Sequence, residues 1–192
     1  MNLKLNNKGL TLVEMIVSFA LLGLFMVAAM RVVSYSINIY FAAKGVNNGV
    51  IVSNMVADKA GGIMSTMRAA SEMNTKELGL DEDTTPFPCI KGGKLYFVDS
   101  TNCPVSMGME DGALRITYFN KIETDPEHVV YKQVPWYFAK DAYMGYELKD
   151  FKIEKAGSAY PDNVYRLEFT VHSDRHGDFP TERFIKCYNL PE

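Results

Sequence analysis

Hydrophobic residues are unevenly distributed along this chain, and the longest apolar run lies near the N-terminus. The run Leu10–Met30 contains a single charged residue, Glu14. At the rise of an α-helix, a run of this length covers roughly 30 Å, the thickness of the hydrocarbon core of a bilayer. Lys4 and Lys8 precede the run, and the positive-inside rule places that end in the cytoplasm. The pattern predicts one membrane-spanning helix with the remaining chain across the membrane.

Helical periodicity continues beyond this run. Apolar residues recur at three- and four-residue steps, with polar residues on the opposite side, so one helix is predicted from about Thr11 to about Ala70, with a weak point at Gly61-Gly62. Its second half is expected to pack one face against a folded head. The predicted buried stripe is Val46, Val50, Ser53, Ala57, Ala60, Met64 and Met67, and the polar side is Asn47, Asn54, Asp58 and Arg68.

The pattern then changes from helical periodicity to short alternating segments with turn residues between them. The acidic stretch Asn74–Pro88 indicates a loop, and Ile90–Val98 predicts a β-hairpin turning at two glycines. A helix followed by such strands predicts an α+β fold, with a long N-terminal helix packed on a C-terminal antiparallel β-sheet. The further predicted strands are Leu114–Phe119, His128–Gln133, Phe151–Glu154, Val164–His172 and Glu182–Tyr188.

A short motif at the start of the apolar run is more specific than its hydropathy. The sequence Lys8-Gly9-Leu10-Thr11-Leu12-Val13-Glu14, followed by an uncharged stretch to Met30, resembles the class III signal of type IV prepilins and pseudopilins. This resemblance implies that a prepilin peptidase cuts between Gly9 and Leu10, that the new amine is methylated, and that Glu14 is the fifth mature residue. The sequence departs from the family pattern in having leucine instead of phenylalanine at the first mature position. It also has no proline before Pro86 to kink the helix.

Two other interpretations of the N-terminus remain open. An ordinary secretory signal peptide could be cleaved near Val27-Ala28-Ala29, although the apolar stretch is long and carries a carboxylate. A plain membrane anchor would not explain why the helix carries Glu14, whose carboxylate costs free energy in the bilayer. The family resemblance accounts for the basic leader, the glycine, the glutamate and the apolar helix together, so it is preferred.

The resemblance also implies a division of the chain and a function. Residues 1–9 would be the leader, 10–30 the transmembrane and filament-core segment, 31–70 the amphipathic continuation of the helix, and 71–192 an extracytoplasmic β-rich head. The chain would be a minor pilin or pseudopilin, anchored by a single pass in the cytoplasmic membrane. Its partners would be a prepilin peptidase, other pilin or pseudopilin subunits, and membrane lipid before assembly. A more diffuse similarity links the tail to minor pseudopilins of the J or W type.

Glu14 has two interpretations that can hold together. A charge within the bilayer costs about 2.5–3.5 kcal/mol on insertion scales, so an intramembrane carboxylate is expected to have a partner. In assembled filaments of this family, the partner is thought to be the N-terminal amine of a neighbour, here on Leu10, which would make Glu14 a register device. Thr11 to Glu14 is also a T-x-x-E capping box, in which Glu14 satisfies amides of the first helical turn.

Three cysteines, Cys89, Cys103 and Cys187, lie in the part predicted to be outside the cytoplasm, where disulfides are permitted. Cys89 and Cys103 bracket the Gly-Gly hairpin and are the expected pair, while Cys187 could compete for either. An odd number leaves one thiol over. The alternative is that all three are buried thiols.

Composition and motifs argue against catalysis. The formal charge of −3 gives no electrostatic support to general nucleic-acid binding. His172–Asp178 is the only stretch with metal-site character, and a polar hairpin tip explains it better. The sequence has no phosphate-binding glycine loop, nucleophile elbow or zinc-protease helix. We therefore expect no enzyme activity, cofactor, metal or small-molecule substrate.

One rival function comes from another class of protein. A membrane-anchored ligand-binding module could use an aromatic-rich head to contact a carbohydrate or DNA. Packing of the same rings in the core of the sheet explains them more simply. The aromatic residues concerned are Trp136, Tyr137, Phe138, Tyr143 and Tyr146.

Overall fold

The structure is a computed structural model of the chain, and it describes residues 11–70, 78, 86–125 and 128–191. The chain divides into two compact units, Met1–Gly45 and Val46–Glu192. A single helix, α1, runs from Leu12 to Met64 and contributes to both units. Within the described residues, eight strands follow, all in the second unit. A long N-terminal helix and an antiparallel β head confirm the predicted α+β fold.

The end of α1 differs from the prediction. The helix stops at Met64 and does not reach Ala70. The hydroxyl of Ser65 donates to the carbonyl oxygen of Gly62 at 2.8 Å, and that of Thr66 donates to the carbonyl of Ile63 at 2.7 Å. Such side-chain bonds compete with the helical backbone, and they follow two residues of low helix propensity at Gly61-Gly62.

The buried stripe of α1 was predicted correctly in its later half and wrongly at its start. Val46 and Val50 are 51% and 46% exposed. The buried positions at that level are Gly49 and Val52. The spacing of apolar residues could not distinguish these two faces, because small or apolar residues occupy both. The stripe continues through Ser53, Val56, Ala57, Ala60 and Met64.

Five antiparallel strands form the first sheet in the order β1-β2-β3-β4-β5. The predicted hairpin is confirmed, with Gly92 and Gly93 in its turn at φ values of 57° and 73°, as a two-residue type I′ turn requires. Sequence patterning missed β3, which pairs with β4 through an Asp111-Gly112 turn of the same kind. The strands are β1 Cys89–Lys91, β2 Lys94–Val98, β3 Pro104–Glu110, β4 Ala113–Asp125 and β5 His128–Tyr137.

A second sheet contains three antiparallel strands in the order β6-β7-β8. These are β6 Glu147–Lys155, β7 Val164–Ser173 and β8 Gly177–Lys186. The central strand β7 alternates strictly between buried and partly exposed residues, as its sequence predicted. A 3-10 helix, Lys140–Tyr143, lies between β5 and β6.

One core joins the two sheets to the second half of α1. Its residues come from α1, from both sheets and from the segment after β8. The chain just after α1 contacts both the first sheet and the segment after β8, because the Arg68 amide donates to the Val98 carbonyl at 2.8 Å and Arg68 also bridges to Asn189. At 0% exposure, the core includes Val52, Val56, Met64, Leu95, Phe97, Met107, Leu114, Ile116, Leu167 and Val171.

Candidate assembly segment and head cavity

The first helical turn of α1 forms a capping box. A side-chain oxygen of Glu14 accepts hydrogen bonds from the amide of Thr11 at 2.9 Å and from its hydroxyl at 3.1 Å. In return, the Glu14 amide donates to the Thr11 hydroxyl oxygen at 3.3 Å. The T-x-x-E sequence therefore forms a capping box in the structure. The Glu14 carboxylate remains exposed while it caps the helix.

The apolar part of α1 is exposed along its length. All residues from 11 to 44 are exposed, including Leu12 at 78% and Phe25 at 72%. The most apolar 18-residue window has a mean hydropathy of 2.4 and contains no buried residue. By length and composition, this helix could cross a membrane. The exposed apolar surface supports membrane anchoring of the chain.

The predicted processing site, Gly9 and Leu10, lies outside the described residues, as does the leader before it. Much of the predicted Asn74–Pro88 loop is outside them too. The cleavage junction therefore stays a prediction from sequence, while the described helix begins two residues after it, at Leu12.

The structure does not bring Cys89 and Cys103 together. All three cysteines are thiols in it. Cys89 faces Tyr96 on β2, and Tyr96 faces Ser106 on β3, so two strand spacings, roughly 10 Å, separate β1 from β3. A disulfide needs Cα atoms about 4.4–6.8 Å apart. The expected pairing stays a prediction that this arrangement does not support.

Cys187 is deeply buried in the main core. Burial raises the pKa of its thiol to about 12, because the thiolate would lose its hydration. Cys103 is half-buried, and its sulfur lies 3.6 Å from the carbonyl oxygen of Phe119. Burial also raises the pKa of Cys103, with Asp99 as a smaller contributor. Neither environment produces the thiolate that reactive cysteines need.

The rings singled out from sequence divide between core and cavity wall. Trp136 is partly buried, and the ammonium of Lys59 on α1 lies 4.1 Å from the centre of its ring. Phe138 meets Trp136 edge-on at 4.8 Å between centroids. Tyr143 and Tyr146 are buried, whereas Tyr137 is 64% exposed. Core packing therefore explains most of this group, as sequence patterning predicted, but not Tyr137.

A cavity of about 590 Å³ lies in the head where these rings meet charged residues. Its walls come from the β3–β4 turn, the end of β5, the 3-10 helix, the start of β6 and the end of β7. The Tyr143 hydroxyl oxygen accepts a hydrogen bond from the Leu114 amide at 2.8 Å. Burial raises the pKa of Tyr143, so it stays a neutral hydroxyl. Among the lining residues are Asp111, Arg115, Tyr137, Phe138, Lys140 and Tyr146.

His172 stands at the edge of this cavity, near the tip of the β7–β8 hairpin. Its Nδ1 lies 2.5 Å from Asp178 and its Nε2 lies 3.1 Å from Asp174. The hydrogen bond to Asp178, followed by that to Asp174, raises the pKa of His172. The predicted hairpin tip is confirmed, with its turn between β7 and β8. Among the described residues, no group of three or more histidine, cysteine or acidic side chains could hold a metal ion.

Sequence reasoning found the aromatic residues but not the cavity. The Asp111-Gly112 turn was the missed signal, since an Asp-Gly pair between alternating segments predicts a type I′ hairpin. That turn carries Asp111 to the cavity and joins the sheets, because the Gly112 carbonyl accepts from the Leu148 amide at 2.7 Å.

Comparison with known proteins identifies the N-terminal segment. Residues 4–30 match the family model described as the prokaryotic N-terminal methylation motif. No curated protein and no solved structure matches the chain. The match covers the basic leader, Gly9, Leu10, Glu14 and the apolar run, which confirms the resemblance drawn from sequence.

The chain thus carries a signal of the type IV pilin and pseudopilin type, which supports a pilin-like precursor. Such a signal implies processing by a prepilin peptidase and assembly with other pilins. It points to a structural subunit and not to an enzyme.

Proposed function

We propose that this chain is a minor pilin or pseudopilin subunit that is cleaved between Gly9 and Leu10 and joins a type IV pilus-like filament through α1. The observation that carries the proposal is a coincidence of two features. The methylation motif at residues 4–30 overlaps the part of α1 whose apolar side chains are all exposed. Exposed apolar surface of this extent needs lipid or other helices around it. A filament of packed α1 helices supplies that environment after the membrane does.

The parts of the chain take separate tasks in this proposal. Residues 10–30 occupy the bilayer before assembly and the filament core afterwards. Residues 31–70 contain the rest of α1, which ends at Met64, and lead into the head, and residues 71–192 form the head outside the cytoplasm. The compact division near Gly45 is compatible with this, because the apolar run lies wholly in the first unit.

Glu14 changes partner in this proposal. In the single subunit its carboxylate satisfies the amide of Thr11, which lowers the cost of a charge in an apolar helix. After cleavage, the positive amine on Leu10 of a neighbour offers a stronger partner of opposite charge. The pair would form only in one stagger of the two helices, so it would fix their register.

Cleavage is tested by intact-mass analysis of the protein from its native host. The mature chain is expected to begin at Leu10 and to carry one added methyl group. Gly9→Val is expected to leave the full chain uncut in the membrane. A mature start close to Met30 would establish an ordinary secretory signal and refute the proposal.

The register role is tested with two variants that separate charge from cap. Glu14→Gln removes the charge but keeps an acceptor that can complete a capping box. Thr11→Ala removes the capping hydroxyl and keeps the charge. Both variants should be inserted and cleaved, since neither step needs the intersubunit pair. Co-purification with other pilins after crosslinking should fall sharply for Glu14→Gln and stay near wild type for Thr11→Ala. The opposite ranking would leave Glu14 as a cap alone.

A second candidate function is an anchored ligand-binding module, and the head cavity is the observation that favours it. The two functions are compatible, since a filament subunit can present a binding site. Co-purification distinguishes the two functions, because a binding module without an assembly role should not co-purify with other pilins.

A further inference from the structure

We propose that the head cavity binds a short chain of neutral pyranose sugars. This inference deepens the second candidate function and does not depend on filament assembly. The cavity of about 590 Å³ falls in the range of small-ligand sites. Its walls combine aromatic faces with hydroxyl, carboxylate and cationic groups, which is the mixture that a sugar requires.

The aromatic side of the cavity offers a surface for stacking. Tyr137 lines the cavity and is 64% exposed, so its ring is accessible to a ligand. Phe138 lies beside it in sequence and meets the ring of Tyr143 edge-on at 6.1 Å. One face of a pyranose ring presents mainly C–H groups, and such a face packs well on an aromatic ring. The exposed Tyr137 ring is the natural position for that contact.

The lining carries four carboxylates and two cations, and two lysines outside the lining, Lys94 and Lys149, pair with two of the carboxylates and bring the charges close to balance. Glu110 is paired with Arg115 and lies 3.5 Å from Lys94. Glu147 lies 3.2 Å from Lys149. Asp111 and Lys140, which have opposite signs, have no ion pair among the residues that the structure describes.

The fourth lining carboxylate, Asp174, is bound to His172 at 3.1 Å. The cavity therefore has little net field, and a strongly charged ligand would gain no net attraction from it. An organic cation would meet aromatic faces here, but three of the four lining carboxylates, Glu110, Glu147 and Asp174, already have partners, and Arg115 and Lys140 would repel it. A neutral ligand with many hydroxyl groups fits better, because paired ionic side chains still donate and accept hydrogen bonds.

A buried hydroxyl supplies a specific polar contact. Tyr143 is 5% exposed, and its oxygen accepts from the Leu114 amide. Within the described part of the chain, the proton of this hydroxyl has no acceptor. Buried donors in native proteins are nearly always satisfied. A sugar oxygen in the cavity would provide the acceptor.

Binding can be measured on the full chain in a zwitterionic detergent that has no sugar head group. A glycan array first identifies which oligosaccharides bind the chain. Their affinities are then measured by titration, with the fluorescence of Trp136 as the signal. Trp136 is the only tryptophan of the chain and contacts Phe138 in the cavity wall. Tyr137→Ala is expected to weaken binding about tenfold, which corresponds to the loss of one aromatic contact. Tyr137→Phe should bind like the wild type.

Tyr188→Ala is the matched control, because Tyr188 is 75% exposed and is not part of the cavity lining. Its binding should equal that of the wild type. An array on which no glycan binds the wild type more strongly than Tyr137→Ala would overturn the proposal. Binding of a tetralysine peptide that depends on Tyr137, without glycan binding, would overturn the ligand class. Neither outcome affects cleavage at Gly9 or co-purification with pilins, so the two proposals fail separately.

Discussion

Replacing Gly49 by alanine should destabilise the head, although alanine is the better helix former. Gly49 lies on the buried side of α1, directly beneath the ring of Phe179 on β8. A Cβ atom at this position would lie 2.6–2.7 Å from three carbons of that ring. Ordinary carbon contacts need about 3.5–4.0 Å. The ring must therefore move by roughly 1 Å, and it is held by an edge-on contact with Tyr146 at 5.9 Å between centroids.

Two opposing effects set the size of the change. Alanine gains about 1 kcal/mol of helix propensity over glycine in a helix interior. Overpacking of a well-packed contact costs about 1–3 kcal/mol. The net loss of stability for Gly49→Ala is therefore about 0–2 kcal/mol. Gly62→Ala is the matched control, because it lies in the same helix and its Cβ would meet nothing within 4 Å. That variant should keep the stability of the wild type or exceed it.

The assay is thermal unfolding of the full chain in detergent, followed by Trp136 fluorescence, which reports on the head. A chain of this size changes its Tm by about 2–4 °C for each kcal/mol. Gly49→Ala should melt below Gly62→Ala. In a Phe179→Ala background the clash is absent, so Gly49→Ala should there become neutral or stabilising. If Gly49→Ala lowers Tm equally in both backgrounds, or melts as high as Gly62→Ala, the explanation through Phe179 is refuted.

Three further predictions follow from contacts in the head. Two aspartates raise the pKa of His172 in the folded state. The stabilisation of the folded state by protonated His172 is therefore complete below the pKa of the unfolded state and is lost as pH rises through the pKa of the folded state. The Tm difference between wild type and His172→Asn should therefore be larger near pH 5.5 than near pH 9, and an equal difference would contradict it. Cys187, whose pKa burial raises to about 12, should resist iodoacetamide at about pH 8 until denaturant is added. Labelling of the folded chain at Cys187, read by peptide mass, would show that the site opens. Lys59→Ala should lose the contact with Trp136 and about 0.5–1 kcal/mol, a Tm decrease of roughly 1–4 °C, and an unchanged Tm would assign that contact no stabilising role.

The N-terminal part of this protein could be predicted from sequence because its signals are local. The leader, Gly9, Glu14 and the uninterrupted apolar run stand at fixed spacing, and the family model matches the same residues. The capping box is equally local, since Thr11 and Glu14 are three residues apart. Alternation also predicted β7, the central strand of its sheet, because one of its faces is buried along its whole length.

Other features depended on contacts between distant residues. The face that α1 buries is decided at Gly49 by Phe179, 130 positions later in the chain, so Val46 and Val50 were wrongly assigned to the core. Strand β2 lies between β1 and β3, and this order keeps Cys89 from Cys103 although they bracket one hairpin. The cavity collects residues from six separate elements, which are the 3-10 helix and strands β3 to β7. The spacing of residues in the sequence determines which side chains share one face of a helix or strand. The packing of the sheets on α1 determines which of these side chains contact each other. That packing depends on the shapes of all three partners together.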